Sequence, residues 1–128
     1  MAAWLEDFET AVRSRDFEAG ASLYEASGVF FGTRVPYSFE LNDYMRRQWE
    51  TIWHHSEDFR FTNVMTVSGS GSIAFCAVTW ENQTQIDSLP VSRTGRATFV
   101  FAVSENAVRA VHSHFSETPH PQTPIDRE

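Results

Sequence analysis

The stretch that decides the fold runs Arg93-Thr94-Gly95-Arg96-Ala97-Thr98-Phe99-Val100-Phe101-Ala102-Val103, then through Glu105-Asn106 to Val108-Arg109-Ala110-Val111-His112-Ser113-His114-Phe115-Ser116. Both arms are rich in β-branched and aromatic residues, and Glu105-Asn106 supplies a tight turn, so the stretch reads as a hairpin. Upstream, Phe59 to Val67 alternates as a strand, and Ser68-Gly69-Ser70-Gly71-Ser72 is a turn. Ile73 to Gln85 is a second long strand, joined to the hairpin by a loop through Asp87 and Pro90. Four antiparallel strands in sequence need a cover for one face.

The N-terminal half supplies that cover. Trp4, Leu5, Phe8, Ala11 and Val12 form one stripe at helical spacing. Asp16 is placed to cap a short second helix carrying Phe17, Ala21 and Tyr24. Val29-Phe30-Phe31 is a short strand or extended arm closed by Gly32. After Pro36, Ser38 is the expected cap of a third helix striped by Leu41, Tyr44, Met45, Trp49, Ile52 and Trp53. The expectation is an α+β fold in one domain over residues 1–117, a curved antiparallel sheet wrapped around three N-terminal helices. A cavity is expected where their packing is incomplete. The proline-containing tail, residues 118–128, is expected to be loose.

The residues of the last hairpin carry a resemblance. Arg96-Ala97-Thr98-Phe99-Val100-Phe101 followed by Val108 to Ser116 is similar to the closing hairpin of the nuclear transport factor 2-like superfamily, SnoaL-like group, written R-x-T-x-V-F, turn, W-x-I-V-H-x-H-x-S. Ser14-Arg15-Asp16-Phe17-Glu18 and the helix ending at Trp53 resemble the same family. The association domain of calcium/calmodulin-dependent protein kinase II shares this ending. The resemblance implies a cone of curved sheet, cystatin-like in outline, with a pocket at the open end and a homodimeric state. Two positions depart from the pattern: Val108 replaces the family tryptophan, and Phe99 stands where the kinase domain places a pocket arginine.

Composition narrows the partners. The 128 residues carry a formal charge of −7, with only ten basic residues. Nucleic-acid binding and anionic membrane surfaces both draw on Lys and Arg, so neither is expected as a partner. A small neutral or cationic ligand of hydrophobic or mixed polarity, or another protein, a second copy of the chain included, is expected instead. Aromatic residues make up 14% of the chain, enough to line a cavity as well as fill a core. Cys76 is the single cysteine and forms no internal disulfide. The start of the chain has no basic or long apolar stretch, so a cytoplasmic location is expected.

Few residues are candidates for chemistry. His112 and His114 are two apart on a strand and share a face, as polar groups in a cavity or at a subunit contact. His114 is the candidate general acid–base. One bulge in the hairpin would exchange its facing with that of Phe115. An H-x-H pair offers two metal ligands where a stable site needs three or more, so no metal is expected. Arg96 is placed either to clamp a carboxylate or to pair with Glu81 or Asp87. Trp53, Trp80 and Phe99 are candidate pocket walls, and Tyr24 a candidate phenolic donor. No cofactor is expected, because Gly69 and Gly71 lack the third glycine and following helix of a dinucleotide loop. The strand interiors hold no aspartate of the kind that isomerases and cyclases of the superfamily use.

These residues support a small-molecule-binding homodimer whose closed cavity exceeds ~300 Å³. The alternatives are an isomerase, cyclase or hydratase with His114 as acid–base and Arg96 or Tyr24 polarising a carbonyl, and a pure oligomerisation module.

Overall fold

Helix α1 (Ala2–Ser14) buries the stripe read from the sequence, Trp4, Leu5, Phe8, Ala11 and Val12. This structure, a computed structural model, describes residues 2–119. Arg15 turns left-handed at φ 56°, and Asp16 N returns to Ala11 O at 2.9 Å, which closes the helix. Asp16 then accepts from Ala19 N at 3.0 Å and caps α2 (Phe17–Ala21).

Tyr24 is not on this helix. It opens β1 (Tyr24–Phe31), of which Val29-Phe30-Phe31 is only the second half. The backbone is drawn away because Leu23 O accepts from Trp4 Nε1 at 2.8 Å and from Ala110 N at 2.9 Å. Tertiary hydrogen bonds override the helical pattern of residues 17–24. Ser38 does not cap the third helix by position either. It begins β2 (Ser38–Glu40), which pairs antiparallel with β1, and its hydroxyl donates to Asp43 Oδ2 at 2.6 Å. Helix α3 (residues 41–55) follows, with a π turn at Met45–Trp49 and a final 3-10 turn at Trp53–His55. Three helical segments are therefore present, but only two precede the sheet.

Strands β3 (Glu57–Ser70), β4 (Ile73–Ile86), β5 (Leu89–Val103) and β6 (Val108–Glu117) form the four expected hairpin-linked strands. The full sheet has six strands, in the order β2-β1-β6-β5-β4-β3. It is mixed rather than wholly antiparallel, because β1 runs parallel to β6. The long chain between these two strands makes that direction available. Register shifts at three places in β3 bend that edge. The expected loop through Asp87 and Pro90 is a two-residue turn: Ile86 pairs with Leu89, and Asp87 and Ser88 both take positive φ, 52° and 67°. Residue 118 is not loose, since Thr118 N donates to Thr94 O at 2.9 Å. The rest of the expected tail, residues 120–128, lies outside the described residues.

A bulge in β6 sets what the sheet presents to each side. Val100 pairs with His112 and Phe101 with Ala110, which leaves Val111 as the extra residue. Before it, Ala110 is inward; after it, Ser113 is fully buried and Phe115 packs on Phe8 and Phe99. The core is aromatic, with Trp4 stacked on Phe8 and edge-on to Phe99 and Phe101. Cys76 and Val78 fill the inner face of β4.

The β4–β5 turn yields a stability prediction. A two-residue turn with both φ values positive strains any residue with a Cβ. Ser88→Gly is expected to raise unfolding free energy by ~0.5–1 kcal/mol, read from the urea midpoint, with no change in slope.

Candidate functional site

Helix α3 crosses the open end of the sheet so that Tyr44, Gln48, Trp49, Ile52 and Trp53 face Phe8 and Val12 of α1. Phe59, Trp80, Asn82 and Phe115 of the strands close the space, leaving an inner cavity of about 50 Å³. The indoles of Trp49 and Trp53 stack with centroids 4.6 Å apart and 18° between planes. Gly20 lets α2 come this close, since a Cβ there would lie 2.7 Å from Trp53 and 3.1 Å from Trp49. Trp80 Nε1 donates to Arg96 O at 3.3 Å, which fixes the third indole. The expected roomy closed cavity is thus corrected. Tryptophan and phenylalanine rings fill most of the interior, and the enclosed space holds a few waters or a group of a few heavy atoms.

Asn82 and Ser56 form a polar pair in this aromatic wall. Asn82 Nδ2 donates to Ser56 Oγ at 2.8 Å, and both residues are buried. Asn82 Oδ1 is buried with no partner among the described residues. A buried amide oxygen in that state costs ~1–3 kcal/mol, so it is the strongest acceptor the cavity offers. Deeper in the core lie three hydroxyls. Tyr44 OH donates to Phe31 O at 3.2 Å, while Tyr24 OH and Ser113 Oγ have no partner of hydrogen-bonding geometry among the described residues. Burial holds the Tyr24 and Tyr44 phenols well above their usual range, with the Tyr44 charge adding to the effect on Tyr24.

The cavity continues outward. Thr33, Ile52 and Phe115 line both it and an open vestibule of about 410 Å³. The vestibule walls carry Arg34, Arg93, His114, Ser116 and Glu117, with Arg93 and Glu117 ion-paired. Gln48 organises this mouth: Oε1 accepts from Arg34 N at 2.8 Å and Nε2 donates to Thr33 Oγ1 at 2.9 Å.

The structure separates the residues singled out in the sequence. Trp53 and Trp80 line the inner cavity. Phe99 and Tyr24 lie behind it as core, with Tyr24 edge-on to Trp49 at 5.3 Å. His112 and His114 face the other side of the sheet, on either side of Phe31 at 5.3 and 5.2 Å. The bulge at Val111 is the reason. His112 Nδ1 is 2.7 Å from Val29 O, and His114 is exposed at the vestibule rim. An acid–base role for His114 inside the cavity therefore has no geometry. Arg96 is exposed and neither clamps a ligand in the cavity nor pairs with Glu81 or Asp87. It donates to Ser116 Oγ at 2.9 Å, and Glu81 pairs with Arg60. The Cys76 thiol is buried and pushed up to about 11. Among the described residues, no three His, Cys, Asp or Glu side chains converge as metal ligands.

Sequence reading passed over Gln48, Ser56, Asn82 and Arg34, and named Phe115 only as the residue a bulge would exchange with His114. Two of these had a signal. Gln48 interrupts the apolar stripe of α3, and Asn82 extends the inward series Cys76, Val78, Trp80 on β4.

The sequence model for the SnoaL-like domain matches residues 1–121. The chain belongs to the SnoaL-like domain family. No curated protein matches it. Solved structures match its fold at low identity. A nuclear transport factor 2-like superfamily protein from Salmonella enterica serovar Typhimurium superposes with TM-score 0.77 at 15% identity, covering 95% of this chain and 91% of that one. A provisionally named calcium/calmodulin dependent protein kinase II association domain from Xanthomonas campestris gives 0.80 at 17%, covering 94% and 86%. A ketosteroid isomerase-like protein from Erwinia carotovora atroseptica gives 0.78 at 15%, covering 93% and 94%. No helix among the described residues is long and apolar enough to cross a membrane.

His114 carries a pH prediction. Partial burial, then the neighbouring His112 and Arg96, hold its pKa below the usual histidine value. The folded chain then binds fewer protons than the unfolded one, so stability falls as pH drops through ~6.5 and levels off below the folded pKa. Urea unfolding between pH 5 and 8 is expected to show this slope, and His114→Asn to flatten it.

Proposed function

We propose that this chain is a small-molecule-binding domain acting as a homodimer. Its ligand is a compact, mainly apolar molecule that places a hydrogen-bond donor on Asn82. The unpartnered Asn82 Oδ1 in the wall of an aromatic cavity carries this reading. The inner cavity alone is far below the ~300 Å³ of typical ligand sites, whereas the vestibule falls within that class. The ligand body therefore occupies the vestibule, and the end that carries the donor enters past Thr33, Ile52 and Phe115. Binding is favoured over catalysis because the polar groups lining the inner cavity are hydroxyls, amides and indoles.

The second copy covers the outer face of the sheet. Phe75, Val100, His112 and Val29 form one row across four strands, and Ala77, Thr98, His114 and Phe31 the next. Val29, Phe75, Met65, Val67 and Ile73 are exposed there or on the adjoining β3–β4 hairpin. An exposed apolar surface of this extent supports burial against a like surface.

Two measurements test these readings. Saturation-transfer NMR with small alicyclic and aromatic alcohols, cyclohexylmethanol among them, is expected to find binders that Asn82→Leu weakens about tenfold. A panel without binders, or binders indifferent to that change, would sink the ligand assignment. Light scattering is expected to give a dimer at micromolar concentration and a monomer for Phe75→Lys, and a monomeric parent chain would refute the assembly.

A further inference from the structure

All ten basic residues of this chain are arginine, against seventeen acidic ones. Nine of the arginines are described. Arg15, Arg46, Arg47, Arg60, Arg93 and Arg109 meet carboxylates, while Arg13 and Arg96 donate to Phe59 O and Ser116 Oγ. Arg34 alone has a guanidinium with neither an ion pair nor a hydrogen bond among the described residues.

Its backbone is held firmly. Gln48 accepts from Arg34 N, Gly32 N donates to Val35 O at 3.0 Å, and Val35 is buried before Pro36. Gly32 has no room for a Cβ, which would overlap the Gln48 amide. The loop thus presents Arg34 at the vestibule from a fixed base, which lowers the ordering cost of binding. Among the charged side chains that line the vestibule, Arg93 is neutralised by Glu117, which leaves Arg34 as the unpaired cation there among the described residues.

We propose that the vestibule is a carboxylate subsite, with Arg34 as the residue that fixes ligand charge, so that the natural ligand is a mainly apolar monocarboxylate whose far end carries the donor for Asn82. The carboxylate pairs with the Arg34 guanidinium, and the apolar part lies against Ile52 and Phe115 at the neck. One free guanidinium beside a neutralised pair matches one negative charge better than the two of a phosphate monoester. This assignment rests on the ligand-binding reading above and names the class of ligand for it.

Isothermal titration with cyclohexanecarboxylate and its neutral counterpart cyclohexylmethanol at pH 7 tests it on the intact chain. The acid is expected to bind about tenfold or more tighter at low salt. Arg34→Gln is expected to bring the two within about twofold by weakening the acid alone, and Arg34→Lys to keep part of the preference. Equal affinities in the parent chain, or a preference that survives Arg34→Gln, would overturn the carboxylate subsite while leaving the ligand-binding reading in place. Binding of neither compound would remove both.

Discussion

In β6, Val111 and His112 together face Val100, and this one unpaired residue fixes the side of the sheet on which every later side chain lies. A strand alternates with period two, so a single insertion inverts everything beyond it. Had β6 run without it, Ala110, His112 and His114 would have shared the inner face. Two imidazoles would then have stood among Phe8, Phe99 and Trp80, each needing a buried partner at a cost of a few kcal/mol. With it, Ser113 and Phe115 are inward, the aromatic wall closes, and the histidines sit with Phe31 on the outer surface. The shape of the cavity, the neck at Phe115 and the polarity of the vestibule all follow from that register.

The hairpins and the helical stripes were legible because period and propensity agreed. Trp4 to Val12 buries the side its spacing indicates, and Ile73 to Gln85 forms the long strand its composition indicates. The family motif in residues 96–116 identified the architecture and the SnoaL-like family correctly. What failed were segments where distant hydrogen bonds decide. Leu23 O is claimed by Trp4 and Ala110, so Tyr24 became strand. Ser38 pairs across from Phe30, so β2 appeared where only a cap had been read. The site was less legible than the fold for the same reason. Trp53 and Trp80 stand in the cavity wall because large aromatics at inward positions must line whatever space remains. His114 was misplaced because the bulge leaves no mark in composition. Gln48 and Asn82 carried a mark, being polar at positions whose neighbours in the pattern are apolar.

The aromatic interior and the arginines divide the work between them. Rings of Trp49, Trp53, Trp80 and Phe115 set the size of the cavity, while in the proposed binding reading Gln48, Asn82 and Arg34 are the groups that orient a ligand. Such a division suits a fold whose shell is shared widely. The structural relatives superpose at TM-scores of 0.77–0.80 with 15–17% identity, so the shell tolerates replacement of most of its side chains. Differences in chemistry among such chains must then reside in a handful of rim and wall positions.

Cys76, fully buried on the inner face of β4 with its thiol pushed up to about 11, has a practical consequence. Alkylating reagents reach it only when the sheet opens, and its protonated state slows them further at neutral pH. As the one sulfhydryl in the chain, it acts as a native clock for global opening. Any cysteine introduced on the rim could be labelled selectively while that clock runs unread beneath it.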